Sequence, residues 1–229
     1  MRNEIAAEKI GRTYERLGRF ADLYDGMMAN SSVLGRLAMR FFWRLSDADY
    51  QKFLQYAFAG IPENFAGNLL EVPLGTGILS LPVYKKIPAA KIIGVDYSST
   101  MLAAARKNAQ NLNLRNVEFV RGDVGNLPFA DETFEIVLSI NGLHVFPDKT
   151  AAYGEMFRVL KTGGIFCGSL YVAGENRWTD FFVRNFCARR GYFTAPFETA
   201  ETLREKLGAF YSDFKISAVQ AFAGFVCRK

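Results

Sequence analysis

From Asn68 onward the chain alternates short apolar, β-branched runs with longer stretches whose apolar residues recur every three to four positions. "NLLEVP", "KIIGVD", "VEFVRG", "FEIVLSI" and "GIFCGSLYV" have the length and composition of strands. Between them, "SSTMLAAARKNAQNLN" and "DKTAAYGEMFRVLKTGG" have helical spacing, the first capped by a serine and the second by Asp148, with Gly163 and Gly164 read as the stop of the second. Alternation of this kind predicts right-handed crossovers and a mostly parallel sheet. Past Ala173, "WTDFFVRNFCARRG" and "ETAETLREKLGAFY" read as helices. "FKISAVQ" and "AGFVCRK" are joined so closely that they predict an antiparallel hairpin at the sheet edge.

The chain before Asn64 has a different pattern. Tyr14, Leu17, Ala21 and Tyr24, then Leu34, Leu37, Phe41 and Phe42, stand at helical spacing on either side of an "ANSS" loop. This predicts two or three helices, whose aromatic residues are read as core. The division that follows is an N-terminal helical cap over residues 1–66 and an α/β core over 67–229, with a helical insertion at about 174–212.

Composition narrows the class. Half of the 229 residues are hydrophobic, enough for one substantial core, while no apolar run approaches the roughly 18 residues that would span a bilayer. The first twenty residues carry Glu4, Glu8 and Glu15 and no apolar signal region, so a cytoplasmic location is expected. Cys167, Cys187 and Cys227 lack metal-ligand or disulfide spacing; they are read as buried apolar side chains, and no metal is expected. The net charge of +5 is spread evenly, with 9 basic residues against 8 acidic up to residue 66, 10 against 9 to residue 173, and 9 against 6 thereafter. No basic stripe results, and nucleic acid is not an expected partner.

The chemistry concentrates in "LLEVPLGTGILSLP". A first strand ends at Pro73, and the turn Gly75-Thr76-Gly77 brings backbone close to whatever sits at the strand ends. Asp96 closes the second strand 21 residues beyond Gly75, where a carboxylate can accept both hydroxyls of a ribose. Ser80 replaces the third glycine of a dinucleotide fingerprint. Pro73 lacks the N–H that a pyrophosphate would use but keeps a carbonyl for an ammonium, and Glu71 adds negative charge. These features favour a cationic sulfonium cofactor over a dinucleotide. Pro82 should delay or kink the first helix of the core.

Together with "GVDYSSTML", "GDVGNLPFADETFEIVLS" and "MFRVLKTGGIF", this segment resembles the class I S-adenosylmethionine-dependent methyltransferases, in the branch similar to ubiquinone and menaquinone C-methyltransferases. The resemblance covers residues 67 to 173. It departs from the usual pattern at Pro73, where glycine is common, and at "LKTGG", where a proline more often precedes the glycines.

The resemblance implies a doubly wound, Rossmann-like, seven-stranded methyltransferase sheet with the antiparallel C-terminal hairpin and the N-terminal helical cap as a lid. It implies S-adenosylmethionine as cofactor, S-adenosylhomocysteine as product, and a small-molecule methyl acceptor reacting at oxygen, nitrogen or carbon; the 21 Phe, 10 Tyr and 2 Trp add the expectation of an apolar pocket, hence of an apolar or aromatic acceptor. Gly75 and Gly77 would line the methionine part and Asp96 would bind the ribose. Tyr97 and Met101 would flank the adenine, Asp123 would accept from its amino group and the Val124 backbone would donate to its ring. Asn141 would face the methionine moiety. The aromatic helical spacing before Asn64 adds the expectation of a mobile lid whose Tyr24 closes over the cofactor.

Several readings stay open. Asp96 also suits a helix cap, and Asp123 a plain turn. His144, the single histidine, follows strand four in "NGLHVFPD" and is read equally as a general base or a structural hydrogen-bonder. An NAD(P)-dependent oxidoreductase and a cofactor-binding protein without transferase activity remain as alternatives. Monomer and homodimer are both expected states, without integral membrane association.

Overall fold

The computed structural model describes residues 12–18, 21–30 and 32–229, without the side chains of residues 22–24 and 27. Residues 12–18 form α1, followed by α2 (Ala21–Met28), α3 (Val33–Phe42) and α4 (Asp47–Ala57). The α/β part runs β1 (Asn68–Glu71), α5 (Leu81–Tyr84), β2 (Lys91–Asp96), α6 (Ser99–Asn111), β3 (Val117–Arg121), β4 (Phe134–Ile140), α7 (Lys149–Val159) and β5 (Leu160–Tyr171). It continues through α8 (Arg177–Phe182), a π-helical turn (Val183–Cys187), α9 (Ala200–Phe210), β6 (Asp213–Val219) and β7 (Phe222–Arg228).

The seven strands lie in the order β3-β2-β1-β4-β5-β7-β6. The first five pair in parallel, and β7 is antiparallel to both β5 and β6. Strand order reverses between β1 and β4, and a crevice at the carboxyl ends of strands is where such sheets bind ligands.

The central strands are apolar on both faces because both faces are covered. Leu69, Ile136 and Leu138 point into one layer with Tyr50 and Phe53 of α4 and Leu81 and Tyr84 of α5. Leu70 and Val137 point into the other, with Tyr153 and Met156 of α7 and Leu203 and Leu207 of α9. Each such side chain, fully buried, contributes about 1.5–3 kcal/mol relative to exposure.

The expected caps are in place: Ser98 accepts from the Met101 N–H, and Asp148 from the Ala151 N–H. Helix α5 starts late, with Pro82 in its first turn where the missing N–H costs nothing. Three expectations need correction. α7 ends at Val159, so Gly163 and Gly164 do not stop it; they lie inside β5, where the pairing with β4 is irregular and the Gly163 N–H donates to the Lys229 carbonyl (2.7 Å). Among the described residues the N-terminal region holds four helical segments rather than two or three, and Tyr50, Phe53 and Ala57 give α4 an apolar face of its own. On α3, Leu34, Leu37 and Phe41 are exposed rather than core.

Candidate functional site

The turn after β1 is built by backbone. The Leu74 N–H donates to the Val95 carbonyl (2.8 Å), tying the turn to β2, and the Gly77 N–H donates back to Leu74 (3.0 Å). Gly75 and Gly77 have φ of +60° and +67°, values that side chains disfavour, and a Cβ on Gly75 would project into open space. The Val72–Pro73 peptide is cis. The Pro73 ring lies against Gly142 after β4, where a Cβ would come within 2.1 Å of its Cδ. A side chain at position 142 would therefore run into the Pro73 ring.

Around this turn opens a cleft whose empty space, counted together with open solvent, is about 1080 Å³. Glu71, Pro73, Gly75, Thr76, Gly77, Asp96, Tyr97, Met101, Asp123, Val124 and Asn141 all line it. Sequence positions up to 70 residues apart thus meet at one sheet edge (71 to 141). Tyr24 belongs to α2, but its side chain is outside the described residues.

Glu71 is buried beneath the turn and accepts from the Tyr84 hydroxyl (2.7 Å). Burial pushes its carboxyl up to about 8, against the opposing effect of that hydroxyl. Asp96 accepts from the Gly75 N–H (2.8 Å) and the Ser98 N–H (2.9 Å), and burial raises it to about 6 despite these bonds. Asp96 is therefore not the cap of α6, a role that Ser98 takes, but the clasp between the glycine turn and the second strand. Asp123 closes its own turn onto the Gly125 N–H (2.9 Å) while facing the cleft, so the plain-turn reading and the binding reading describe the same carboxylate. Asn141 has φ of +54°, its N–H donates to the Ser169 carbonyl (2.8 Å), and its buried Oδ1 has no partner.

Of the two readings left open for His144, the geometry favours the structural one. Its neighbours Val145, Phe146 and Pro147 line the cleft, but the imidazole turns inward, 5% exposed. Its ring stacks on Phe193 (centroids 4.1 Å apart, planes at 10°), and Nδ1 accepts from the Tyr171 N–H (3.2 Å). Burial, with the nearby Lys149 charge, lowers its pKa to about 3. A neutral ring with its acceptor nitrogen already used is a poor proton acceptor for a substrate in the cleft.

Sequence reasoning missed the tethers from the N-terminal helices. Asp25 of α2 accepts from the Thr76 hydroxyl and from the Asn108 amide (2.9 Å), fastening α2 to the turn and to α6. Glu15 of α1 accepts from the Ser99 N–H (2.7 Å) at the start of α6. The Tyr14 hydroxyl donates to the Tyr192 carbonyl (3.4 Å), so α1 also reaches the segment after α8. Tyr14 and Met28 line the cleft. Only the apolar spacing hinted at Tyr14; polar tethers between distant segments leave no local signal.

The residues fit a cationic adenosine ligand. Among the described residues the charged side chains lining the cleft are all acidic, namely Glu71, Asp96 and Asp123. The orphaned Oδ1 of Asn141 calls for a donor. A pyrophosphate would find carboxylates instead of cations.

Relatives agree with this chemistry. A family model described as a methyltransferase domain matches residues 69–164. The chain is 31% identical to a demethylmenaquinone methyltransferase of Thermus thermophilus, over 70% of this chain and 74% of the relative. With the same enzyme of Listeria welshimeri it shares 30% identity, over 70% of this chain but only 61% of the relative's length. A phosphatidylethanolamine N-methyltransferase of Cereibacter sphaeroides is 33% identical over 68% of each chain. Among solved structures, a methyltransferase of Thermotoga maritima superposes with a TM-score of 0.69 over 96% of this chain and 99% of that one; at 23% identity this speaks for the fold alone. Strand order, glycine turn and these relatives converge, and the chain belongs to the class I S-adenosylmethionine-dependent methyltransferases, in the branch similar to the menaquinone and ubiquinone C-methyltransferases.

Proposed function

We propose that the chain methylates a small apolar or aromatic molecule, and that its own contribution is alignment and exclusion of water rather than proton abstraction by a side chain. The observation that carries this reading is the wall of the cleft formed by Ile140, Val145, Phe146 and Pro147, which is apolar, while the histidine of the same loop faces away. S-adenosylmethionine, when bound, supplies a methyl on a cationic sulphur and a neutral leaving group. Asn141 Oδ1 and Glu71 would accept from its ammonium, Asp96 from the ribose, and Asp123 and the Val124 backbone would meet the adenine between Tyr97 and Met101. Holding donor and acceptor in line supplies most of what such a displacement needs.

In this reading residues 1–66 act as a cap over the core of 67–229, with residues 174–212 as an insertion that helps close the cleft. The tethers Glu15–Ser99, Asp25–Thr76 and Tyr14–Tyr192 support it. The named acceptors of the relatives, a quinone precursor and a phospholipid, also favour an apolar substrate over a nucleic acid.

The test is incorporation of labelled methyl from S-adenosylmethionine into separate panels of apolar phenols and quinols, phospholipids, and water-soluble amines. Turnover confined to the water-soluble amines would sink the apolar reading.

A further inference from the structure

Helix α3 is turned opposite to an ordinary surface helix. Gly35 and Met39 face inward, while Val33, Leu34, Leu37 and Phe41 are 66, 73, 57 and 54% exposed. At about 100° per residue these four cover an arc of about 100°, with Arg36 and Arg40 along one border. Helix α8 extends the surface: the Trp178 indole N–H donates to the Phe41 carbonyl (2.7 Å), the two rings meet edge to face at 5.3 Å, and Phe181 is 54% exposed beside them. The Arg44 guanidinium sits 5.4 Å from the Trp178 ring centre.

The charge carried by α3 itself has one sign, Arg36 and Arg40, while exposed Asp47 at the start of α4 accepts from the Asn30 amide (3.1 Å) before α3 begins. Residues 26 to 46 hold three arginines and no acidic residue. On the α8 side Arg177 and Arg184 accompany Glu175 and Asp180, and Asp180 is engaged inward, accepting from the Tyr171 hydroxyl (2.6 Å) and the Gly174 N–H (3.0 Å). An exposed apolar patch of this kind marks an interaction surface.

We propose that this face docks the protein on a bilayer containing anionic phospholipids, with α3 lying in the headgroup region. Leucine, valine and phenylalanine would enter the acyl boundary, Trp178 would sit at headgroup depth, and Arg36, Arg40 and Arg44 would meet phosphates with their stems along the apolar face. Helix α3, at 10 residues, is far too short to cross a membrane, and none of the described helices is long and apolar enough to do so. A second copy packed with its α3 antiparallel fits less well, because that two-fold contact would set the arginines of one copy against those of the other. Met28 lines the cleft five residues before Val33, so the docked helix and the cleft are at most about 18 Å of chain apart.

Docking requires neither cofactor nor acceptor, so its test is independent of the methylation reading. The full chain is sedimented with phosphatidylcholine vesicles with and without phosphatidylglycerol. Binding is expected only with the anionic lipid, weakening as salt rises. Leu34→Ser/Leu37→Ser/Phe41→Ser should reduce the bound fraction at least about tenfold, with circular dichroism unchanged because these side chains are exposed. Arg36→Gln/Arg40→Gln should abolish the preference for anionic lipid. Failure of the wild type to bind anionic vesicles overturns the proposal. So does equal binding by the triple variant, or light scattering that finds a dimer which the triple variant dissociates while no vesicle binding occurs.

Discussion

Glu71 places a carboxyl under the glycine turn where charge is costly, and this makes cofactor binding pH-dependent. With its pKa raised to about 8, Glu71 is largely protonated at neutral pH in the free protein. A cation arriving within reach favours the ionised form, so binding should expel a proton and strengthen as pH rises toward 8. Calorimetry in buffers of different ionisation enthalpy should register about half a proton or more released at pH 7, and Glu71→Gln should release none. Identical proton counts for the two proteins would remove Glu71 from the cofactor's surroundings. Asp96→Ala should cost about 2–4 kcal/mol of cofactor affinity, since it removes a charged acceptor together with the clasp on Gly75. For His144 the expectation is a fold effect: His144→Ala leaves a cavity beside Phe193, lowers stability by about 2–4 kcal/mol in denaturant titration, and keeps turnover within a few-fold. A hundredfold loss of rate with unaltered stability would restore it as a base.

At the scale of elements, the helices were legible wherever a cap and a period agreed. Ser98 and Asp148 announced α6 and α7, and Pro82 announced the late start of α5. The start of β5 was not legible, because a glycine pair is the ordinary sign of a helix stop, and only the pairing with β4 and the Lys229 contact show that it lies within a strand. Nor could periodicity tell which face of α3 is buried. A helix whose small residues pack inward has the same period as one whose large residues do, and the difference is set by what it meets. The tie between α2 and the turn rests on Asp25 alone among the described side chains of α2 that reach Thr76 and Asn108. Asp25→Ala should therefore loosen α2 from the cleft, α1 keeping its own ties through Glu15 and Tyr14, and weaken cofactor affinity by roughly five- to fifty-fold, about 1–2.3 kcal/mol. Hydrogen exchange provides the check: cofactor should slow exchange across residues 21–28 in the wild type and much less in the variant. Equal protection in both would show that α2 closes without this tether.

For the whole molecule, the parallel core and its binding edge followed from the alternation of short apolar runs with capped helices, because each strand is buried on both faces and each crossover has one hand. What remained hidden depends on contacts between distant segments: α1 reaching Ser99, His144 turning under its loop, and the apolar face of α3. One prediction integrates the whole cleft. A ligand that binds only the folded chain stabilises it by about 2.7 kcal/mol at a hundredfold excess over Kd, which for a protein of this size raises Tm by roughly 5–10 °C. S-adenosylhomocysteine should do this, whereas NAD, which presents phosphates to a lining whose described charges are acidic, should not. The shift should also grow with pH, because the free and bound proteins respond to pH in opposite ways at Glu71. In the free protein a carboxyl raised from 4.5 to about 8 contributes stability that is fully present below pH 4.5 and fades as pH rises through 8. Bound ligand with an ammonium near that carboxyl makes its ionised form favourable, so the loss is recovered. Thermal melts at pH 6 and pH 8.5, each at the same multiple of S-adenosylhomocysteine over the Kd measured at pH 6, should therefore show the larger shift at pH 8.5, and Glu71→Gln should make the two shifts equal. A larger shift at pH 6 would mean that Glu71 stays protonated in the complex and that the ammonium is held by Asn141 and backbone carbonyls without it.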